Sequence, residues 1–215
     1  MILIGCEKSG VVRDAFISSG FDAVSCDLLP TESSGPHITG DVVETLASRR
    51  WSLVILHPNC RALCLSGNHK YAKGKPGHAE RLAAAKWTRD LWELAKQQSP
   101  RVCLENSSNV LASLTDMPRR TQEIQPYNFG HDASKKTWLW LYNLPKLQST
   151  VRIKGRTVTR NGKQVERWAN QTDSGQNRLS PSATRSADRA KTYPGIAAAM
   201  VRQWAIDKSG LFETL

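Results

Sequence analysis

The sequence lacks any long apolar run. No stretch approaches the about 18 residues that a membrane-spanning helix needs, and residues 1–5 have neither the length nor the basic flank of a signal peptide. Internal repeats are also absent. We therefore expect a cytoplasmic protein without a membrane partner. A chain of 215 residues is long enough for one domain with a small appendage.

The cysteines form no CxxC pair, and their number, five, is odd. This pattern fits a reducing compartment better than a disulfide framework. Cys6, Cys26 and Cys103 each lie at or near the end of an apolar run, so we expect small buried side chains there. Only Cys60 and Cys64 lie in a loop-like stretch, which makes them the thiols of functional interest.

Acidic residues are few relative to basic ones, and the formal net charge is +11. Residues 151–192 contain ten Lys and Arg against three Asp and Glu, so about +7 of the charge lies in this segment. Such a concentration among polar and Gly residues is typical of a nucleic-acid-binding surface.

The first 27 residues have the order of a nucleotide-binding unit but none of its strong motifs. An apolar strand, a turn ending at Gly10, a helix over Val11–Ser19 and a second strand are followed by Asp27. In that order Gly lets the backbone approach a nucleoside-containing cofactor, and the acid accepts hydrogen bonds from ribose. The GxGxxG fingerprint and the Lys-Ser/Thr of a P-loop are both missing. Further on, Asp41 is predicted from local pattern to be a helix N-cap.

The stretch from His57 to Gly67 follows the buried strand Leu53–Leu56, and Cys60 stands just beyond that strand. A second short strand, over residues 101–104, ends in Glu105. Ligands of open α/β sheets bind beyond the carboxyl ends of strands. Because one helix separates the two strands, a right-handed crossover would make them neighbours. We therefore expect Cys60 and Glu105 to face one pocket.

The remaining pattern predicts a basic loop, a long helix and a hairpin. Residues 68–78 have no periodicity, whereas residues 79–98 are helical with Trp87 on the buried face. Segments 125–129 and 138–142 are strand-like. Residues 151–168 alternate around Asn161-Gly162, which is a strong hairpin signal. Residues 171–186 are expected to be loop and residues 196–206 an amphipathic helix.

The stretch after the Cys60 strand also permits a zinc site. His57, Cys60, Cys64 and His69 are four permissible ligands. Their spacing is wider than that of two-Cys knuckles, and His57 lies at a strand end, so we favour no metal.

In ordered combination these residues resemble the DNA (cytosine-5) methyltransferases, in particular the short phage and prophage type. The likeness covers about the first 145 residues and the last 25. Gly5 to Gly10 is similar to the methyl-donor loop, Pro58-Asn59-Cys60 to the Pro-Cys nucleophile motif, Glu105-Asn106 to the base-gripping pair, and Phe129-Gly130 to Thr137 to a later basic motif.

The resemblance implies a Rossmann-like class I S-adenosylmethionine-dependent methyltransferase fold, of the α/β class, with a small β-hairpin recognition insertion. It implies S-adenosylmethionine as cofactor and double-stranded DNA as partner, and it divides the chain into a catalytic domain (1–145), a basic target-recognition insertion (146–190) and a C-terminal helix (191–215). The catalytic residues that it implies are Cys60, Glu105 and Lys135.

Two larger residue sets follow from the same resemblance. The cofactor-binding residues are Gly5, Cys6, Glu7, Gly10, Asp27, Leu28, Asp41, Val42, His57 and Pro58. The DNA-binding residues are Arg61, Lys70, Lys73, Lys75, Lys136, Arg152, Lys154, Arg156, Arg160 and Lys163.

This chain departs from the family pattern at Asn59, Arg61 and Ser107, and at Lys135 and Thr137 of the basic motif. Two alternatives therefore stay open. The first is a DNA-binding protein with altered or lost catalysis on a methyltransferase fold. The second is an amino-group DNA methyltransferase, although His57-Pro58-Asn59-Cys60 lacks that motif's aromatic residue.

Overall fold

A computed structural model describes residues 1–179 and 191–205. Its strands are β1 (Ile2–Gly5), β2 (Ala23–Asp27), β3 (His37–Thr39), β4 (Leu53–Leu56), β5 (Val102–Ser107), β6 (Gln122–Ile124), β7 (Thr137–Tyr142), β8 (Arg156–Arg160) and β9 (Lys163–Arg167). Its α-helices are α1 (Val11–Ser18), α2 (Val42–Ala47), α3 (Asn68–Tyr71), α4 (His78–Gln98), α5 (Leu111–Leu114) and α6 (Pro194–Trp204). None of these helices has the length and apolar character to cross a membrane.

A seven-stranded sheet in the order β3-β2-β1-β4-β5-β7-β6 forms the centre of the fold. Strands β1 to β5 pair in parallel, and β7 runs antiparallel to β5. The four residues of β4 are fully buried, as expected for a central strand of a parallel sheet. This is a Rossmann-like α/β fold, and the predicted fold class is confirmed at that level.

The described chain divides into two units by its contacts. The first contains Met1–Glu123 and Thr137–Lys146, and the second contains Ile124–Lys136 and the described residues from Leu147 onward. The predicted division near residues 145 and 190 stays a prediction.

The turns of the first unit follow from local chemistry. Gly10 has φ +76°, and a Cβ there would lie 2.0 Å from the Ser33 hydroxyl, so only Gly fits. Asp41 caps α2, because its carboxylate accepts the Val43 N–H at 2.7 Å. The N-cap prediction for Asp41 is confirmed.

The predicted hairpin is present in the second unit. Strands β8 and β9 pair antiparallel around Asn161 and Gly162, which have φ values of +50° and +73°. Positive φ at both central residues is the requirement of a type I′ turn, which explains the Asn-Gly pair.

Two local predictions were wrong. Residues 125–129 are not a strand, because a 3-10 turn occupies Pro126–Asn128 and the strand ends at Ile124. Pro lacks the N–H that a ladder needs. Residues 68–78 begin with the short helix α3 rather than continuous loop, since the buried Tyr71 anchors it under the Lys70 and Arg81 side chains.

The buried face of α4 also differs from the prediction. Trp87 is 40% exposed, whereas Arg81 and Thr88 are buried with Ala85 and Trp92. Apolar periodicity placed Leu91 and Ala95 correctly, since both are buried, but it misplaced Trp87 because it cannot anticipate a buried Arg. The last helix ends at Trp204. Ile206 of the predicted helix and residues 180–186 of the predicted loop lie outside the described residues.

A histidine organises the start of α6 within the second unit. The His131 Nε2 accepts the Gly195 N–H at 2.8 Å, and the imidazole lies against the Tyr193 ring. This bond requires an unprotonated Nε2. Burial lowers the pKa of His131 below its ordinary value, which keeps the acceptor available near neutral pH.

We predict that this contact makes stability depend on pH. Because the folded state lowers the pKa of His131, the unfolded chain binds the proton more readily, and stability is lost as pH falls below about 6.5. His131→Gln retains an acceptor at the same place without titrating. Denaturant unfolding at pH 5 to 8, followed by fluorescence, should show a smaller loss at low pH for His131→Gln than for the native protein. Parallel pH profiles would contradict this assignment.

Candidate active site

The carboxyl ends of β1, β4 and β5 form the centre of the candidate site. Gly5 is in register with Leu56 on β4, and Leu56 with Leu104 on β5. Cys60 follows β4 by four residues, and Glu105 comes directly after Leu104. The crossover prediction is therefore confirmed, because the two strands are parallel neighbours.

Two side-chain contacts join the Cys60 loop to β5. The His57 Nδ1 lies 2.9 Å from Glu105 Oε2, and the Asn106 amide donates to the Pro58 carbonyl at 2.9 Å. Asn106 is buried, and its side-chain amide oxygen accepts a hydrogen bond from the Asn109 side chain. Glu105 and Asn106 on β5 thus contact His57 and Pro58 before Cys60. These contacts fix the two segments relative to each other.

The loop around Cys60 is a tight turn. The Asn59 carboxamide oxygen accepts the Arg61 N–H at 2.9 Å. The Cys60 carbonyl accepts the N–H groups of Leu63 and Cys64 at 3.1 and 2.8 Å. Asn at this position therefore has a structural use, since its short polar side chain stabilises such turns. Cys60 itself is partly exposed at the turn.

Arg81 supports this loop, and no local pattern in the sequence indicated its role. Only 4% exposed, it donates to the Ala62 carbonyl at 2.7 Å, the Cys64 carbonyl at 3.2 Å and the Asn68 side chain at 2.8 Å. A buried cation is costly unless its donors are satisfied. Here the three acceptors all belong to the segment after Cys60, so Arg81 determines the shape of that segment.

The thiols differ in their surroundings. Burial raises the pKa of Cys26 and places that of Cys103 well above its usual range. Burial, followed by the charge of Asp27, raises the pKa of Cys6 to about 12. Cys60 and Cys64 are both partly exposed, and the Cys64 thiol lies 3.2 Å from the Ser66 hydroxyl. Cys60 and Cys64 are therefore the thiols best placed to react.

The predicted cofactor residues of β1, β2 and α2 lie together. Asp27 ends β2, which pairs with β1 up to Gly5, and Asp41 caps the helix whose first residue, Val42, lies against Gly5. Asp27 is partly exposed and Asp41 exposed, and the adjoining Leu28 side chain is 74% exposed. Val42 is buried and lies against Gly5, where a Cβ would approach it to 2.7 Å.

Accessible carboxylates beside an exposed apolar side chain fit a nucleoside, which presents hydroxyl donors on its ribose, an amine donor on its base and the aromatic face of that base. The buried Glu7 adds an acceptor to the same turn. Its Oε1 accepts the Val12 N–H and the Ser9 hydroxyl, each at 2.9 Å, and its buried Oε2 has no partner. The residues present therefore fit the nucleoside part of the S-adenosylmethionine that the sequence resemblance implies.

A second buried arginine, Arg13, holds the segment 31–34 after β2. Arg13 is fully buried and donates to Ser25, Thr31 and Ser33 side chains at 3.0, 3.1 and 2.7 Å. It also contacts the Ser34 carbonyl. The sequence pattern gave no indication of this role either, because Arg13 lies inside a short amphipathic helix.

The predicted DNA-binding residues of the first unit are exposed. They are Arg61, Lys70, Lys73 and Lys75. All four follow Cys60 along the chain. Arg61 lies in the Cys60 loop, Lys70 on α3, and Lys73 and Lys75 in the turn after α3. The DNA role stays a prediction.

The basic residues of the second unit fall into two groups. Arg156 donates to the Trp168 and Gln171 carbonyls and pairs with Asp173, and Arg160 donates to the Ser174 carbonyl. These donors stabilise the hairpin region. Lys154 and Lys163 are exposed.

Arg152 pairs with Glu166 and lies over the Tyr127 ring, which stacks on Trp168. A cleft of about 340 Å³ is lined by Arg152, Lys154 and Glu166.

Of the two lysines of the basic motif, Lys136 is exposed. Lys135, predicted to be catalytic, donates through its backbone to Gln125 and through Nζ to the Lys191 carbonyl.

The zinc interpretation finds no support. Across residues 1–179 and 191–205, no three His, Cys, Asp or Glu side chains are grouped as metal ligands. The His57 Nδ1 instead contacts Glu105, and the His69 Nδ1 contacts the Ser66 carbonyl.

No protein-family model and no curated protein matches the sequence. Among solved structures, the chain is similar to the bifunctional kinase-methyltransferase WbdD, with 16% identity and a TM-score of 0.40 over 79% of this chain and 38% of that one. It is also similar to a mutant of DNMT2 from Spodoptera frugiperda, with 14% identity and a TM-score of 0.37 over 70% of this chain and 54% of that one. The chain thus spans about half or less of the length of these proteins.

We predict that iodoacetamide distinguishes the five thiols. At about pH 8 under native conditions, Cys60 and Cys64 should be alkylated, whereas Cys6, Cys26 and Cys103 should not, because the thiolate is the reactive form and its formation is suppressed at these three. Peptide mass spectrometry after timed exposure measures this, with urea-unfolded protein as the control in which all react. Native labelling of Cys26 or Cys103 at the rate of Cys60 would contradict the assignment.

Replacement of Arg81 should disorder the Cys60 loop. Arg81→Gln leaves buried carbonyl groups without donors, and we expect a loss of about 3 kcal/mol in the free energy of unfolding. The alkylation rates of Cys60 and Cys64 should rise together. Lys86→Gln, which removes an ammonium group whose side chain is 79% exposed and pairs with Asp90 on the same helix, is the control and should change both quantities little. Equal behaviour of the two variants would show that Arg81 does not support the loop.

Proposed function

We propose that the chain is an S-adenosylmethionine-dependent DNA cytosine-5 methyltransferase that acts in the cytoplasm. The observation that carries the proposal is the position of Cys60 and Glu105. Cys60 follows β4 and Glu105 lies on the adjacent parallel strand β5, in segments joined by the His57–Glu105 and Asn106–Pro58 contacts. A reactive thiol and a carboxyl group are the two groups that this reaction requires.

Cys60 is the proposed nucleophile. Cytosine C5 is a poor nucleophile, so the ring must first be activated. The Cys60 thiolate adds to C6, and the electron pair of the C5–C6 bond moves through the ring as N3 accepts a proton from the Glu105 carboxyl group. The product is an enamine in which C5 is nucleophilic, and Glu105 is left as a carboxylate.

S-adenosylmethionine, when bound, would supply an electrophilic methyl group to C5, with its S–CH3 bond broken and S-adenosylhomocysteine as the leaving group. Asp27 and Asp41 are proposed to accept hydrogen bonds from its ribose hydroxyls and adenine amine, with Leu28 against the ring. Gly5, Cys6, Glu7, Gly10, Val42 and Pro58 are proposed to form the remaining wall. A solvent base then removes the C5 proton, the Cys60 thiolate leaves C6, and the N3 proton returns to Glu105.

Double-stranded DNA is the proposed partner. C6 of cytosine is inaccessible inside a stacked duplex, so the base must be flipped out. The exposed cations at residues 61, 70, 73 and 75 follow the nucleophile, and Lys154, Lys163 and Arg152 lie on or beside the hairpin. The role of Lys135 as a cation for the thiolate or the target phosphate rests on the sequence resemblance alone. We propose short-site recognition by the small insertion, residues 146–190.

The decisive test is covalent trapping. A mixed-sequence duplex pool with every cytosine replaced by 5-fluorocytosine is incubated with the protein and S-adenosylmethionine, and adducts are resolved under denaturing conditions. Fluorine at C5 cannot leave as a proton does, so the thioether to C6 should persist. The native protein and Cys64→Ser should form the adduct, and Cys60→Ser should form none.

Each alternative predicts a different outcome. A non-catalytic DNA-binding protein would retain duplex binding by gel shift and give no adduct. An amino-group methyltransferase would methylate ordinary cytosine or adenine without a covalent intermediate. Adduct formation that survives Cys60→Ser would contradict the nucleophile assignment.

A further inference from the structure

The His57 side chain has an unusual environment for a residue next to a nucleophile. It is 10% exposed, its Nδ1 lies 2.9 Å from Glu105 Oε2, and its buried Nε2 has no hydrogen-bond partner. The Glu105 side chain is 12% exposed. These two groups therefore form a buried pair at the ends of neighbouring strands.

We propose that His57 is the positioning residue for Glu105, fixing the carboxyl group for contact with the target base, and that it does not bind the methyl donor. This assignment rests on the proposed function and names a role for one residue of that site. It replaces the cofactor-binding role that the sequence resemblance implied for His57.

The tautomer of His57 follows from its surroundings. If Nε2 carried the proton, a buried N–H would be left without an acceptor, which proteins almost never tolerate. An unpaired acceptor is less unfavourable. The neutral ring therefore carries its proton on Nδ1, which donates to Glu105 Oε2.

Glu105 needs such a partner because its last torsion is soft. The carboxyl plane of Glu rotates broadly about χ3, whereas contact with both N3 and the exocyclic amine of cytosine requires one plane. A donor fixed on Oε2 restricts this rotation and orients Oε1. Reacting groups held in the productive orientation supply a large part of catalysis.

The backbone around His57 makes it a rigid support. Its N–H donates to the Gly5 carbonyl at 2.9 Å, which extends the β1–β4 ladder by one residue. The following Pro58 restricts His57 to extended backbone conformations. The Pro58 carbonyl in turn accepts the Asn106 amide. Both sides of the His57–Glu105 contact are thus anchored in the sheet.

The test compares three substitutions at His57. His57→Asn places an amide N–H near the Nδ1 position and retains the donor. His57→Gln places its amide near the Nε2 position, and His57→Leu has no donor. Methyl transfer to the mixed-sequence duplex is measured in single turnovers at saturating S-adenosylmethionine, and the Kd for S-adenosylmethionine is measured separately by calorimetry.

We expect His57→Leu and His57→Gln to slow the single-turnover rate about 100-fold, the size of a typical acid–base contribution, with the Kd for S-adenosylmethionine unchanged. His57→Asn should recover most of the rate. A purely structural role would not give this ordering of two amides. If Leu fails to fold, as judged by circular dichroism, the comparison of Asn with Gln decides.

Two results would overturn the inference. Equal rates for the Asn and Gln variants would exclude positioning through Nδ1. A raised Kd with an unchanged saturated rate would return His57 to cofactor binding. Failure of the proposed function is distinguishable, because the native protein itself would then transfer no methyl group to cytosine, and both proposals would fall together.

Discussion

The parallel pairing of β4 with β1 on one side and β5 on the other is the constraint on which the candidate site depends. It brings the segments after Gly5 and Leu56, together with Glu105 of β5, to the same end of the sheet. Every group in the proposed chemistry of this unit lies on one of these strands, just beyond it, or at the adjoining ends of β2 and α2.

Much of this arrangement could be predicted from sequence because its signals are local. A buried apolar run ended by Pro58, the pattern Asn161-Gly162 and the N-cap Asp41 each depend on a few neighbouring residues. The adjacency of β4 and β5 followed from the single long helix between them. The rest depends on tertiary contacts. Nothing in the local pattern indicates that Arg81 is buried while Trp87 on the same helix is exposed.

The features of the site that could not be predicted from the sequence are its buried polar contacts. Arg81 holds the segment after Cys60, Arg13 holds the segment after β2, and His57 contacts Glu105. Each makes polar contacts with partners far along the chain. In the hairpin region, likewise, Arg156 uses its donors internally, which the count of positive charge could not reveal. Charge identifies a class of partner but does not assign individual contacts.

In the proposed reaction, C5 of cytosine receives the methyl group through Cys60. The most direct measurement is nucleoside mass spectrometry of a mixed-sequence duplex incubated with the protein and isotopically labelled S-adenosylmethionine. We expect labelled 5-methyl-2′-deoxycytidine with the native protein and none with Cys60→Ser. Label on the exocyclic amine of cytosine or adenine, or no label in any nucleoside, would contradict it.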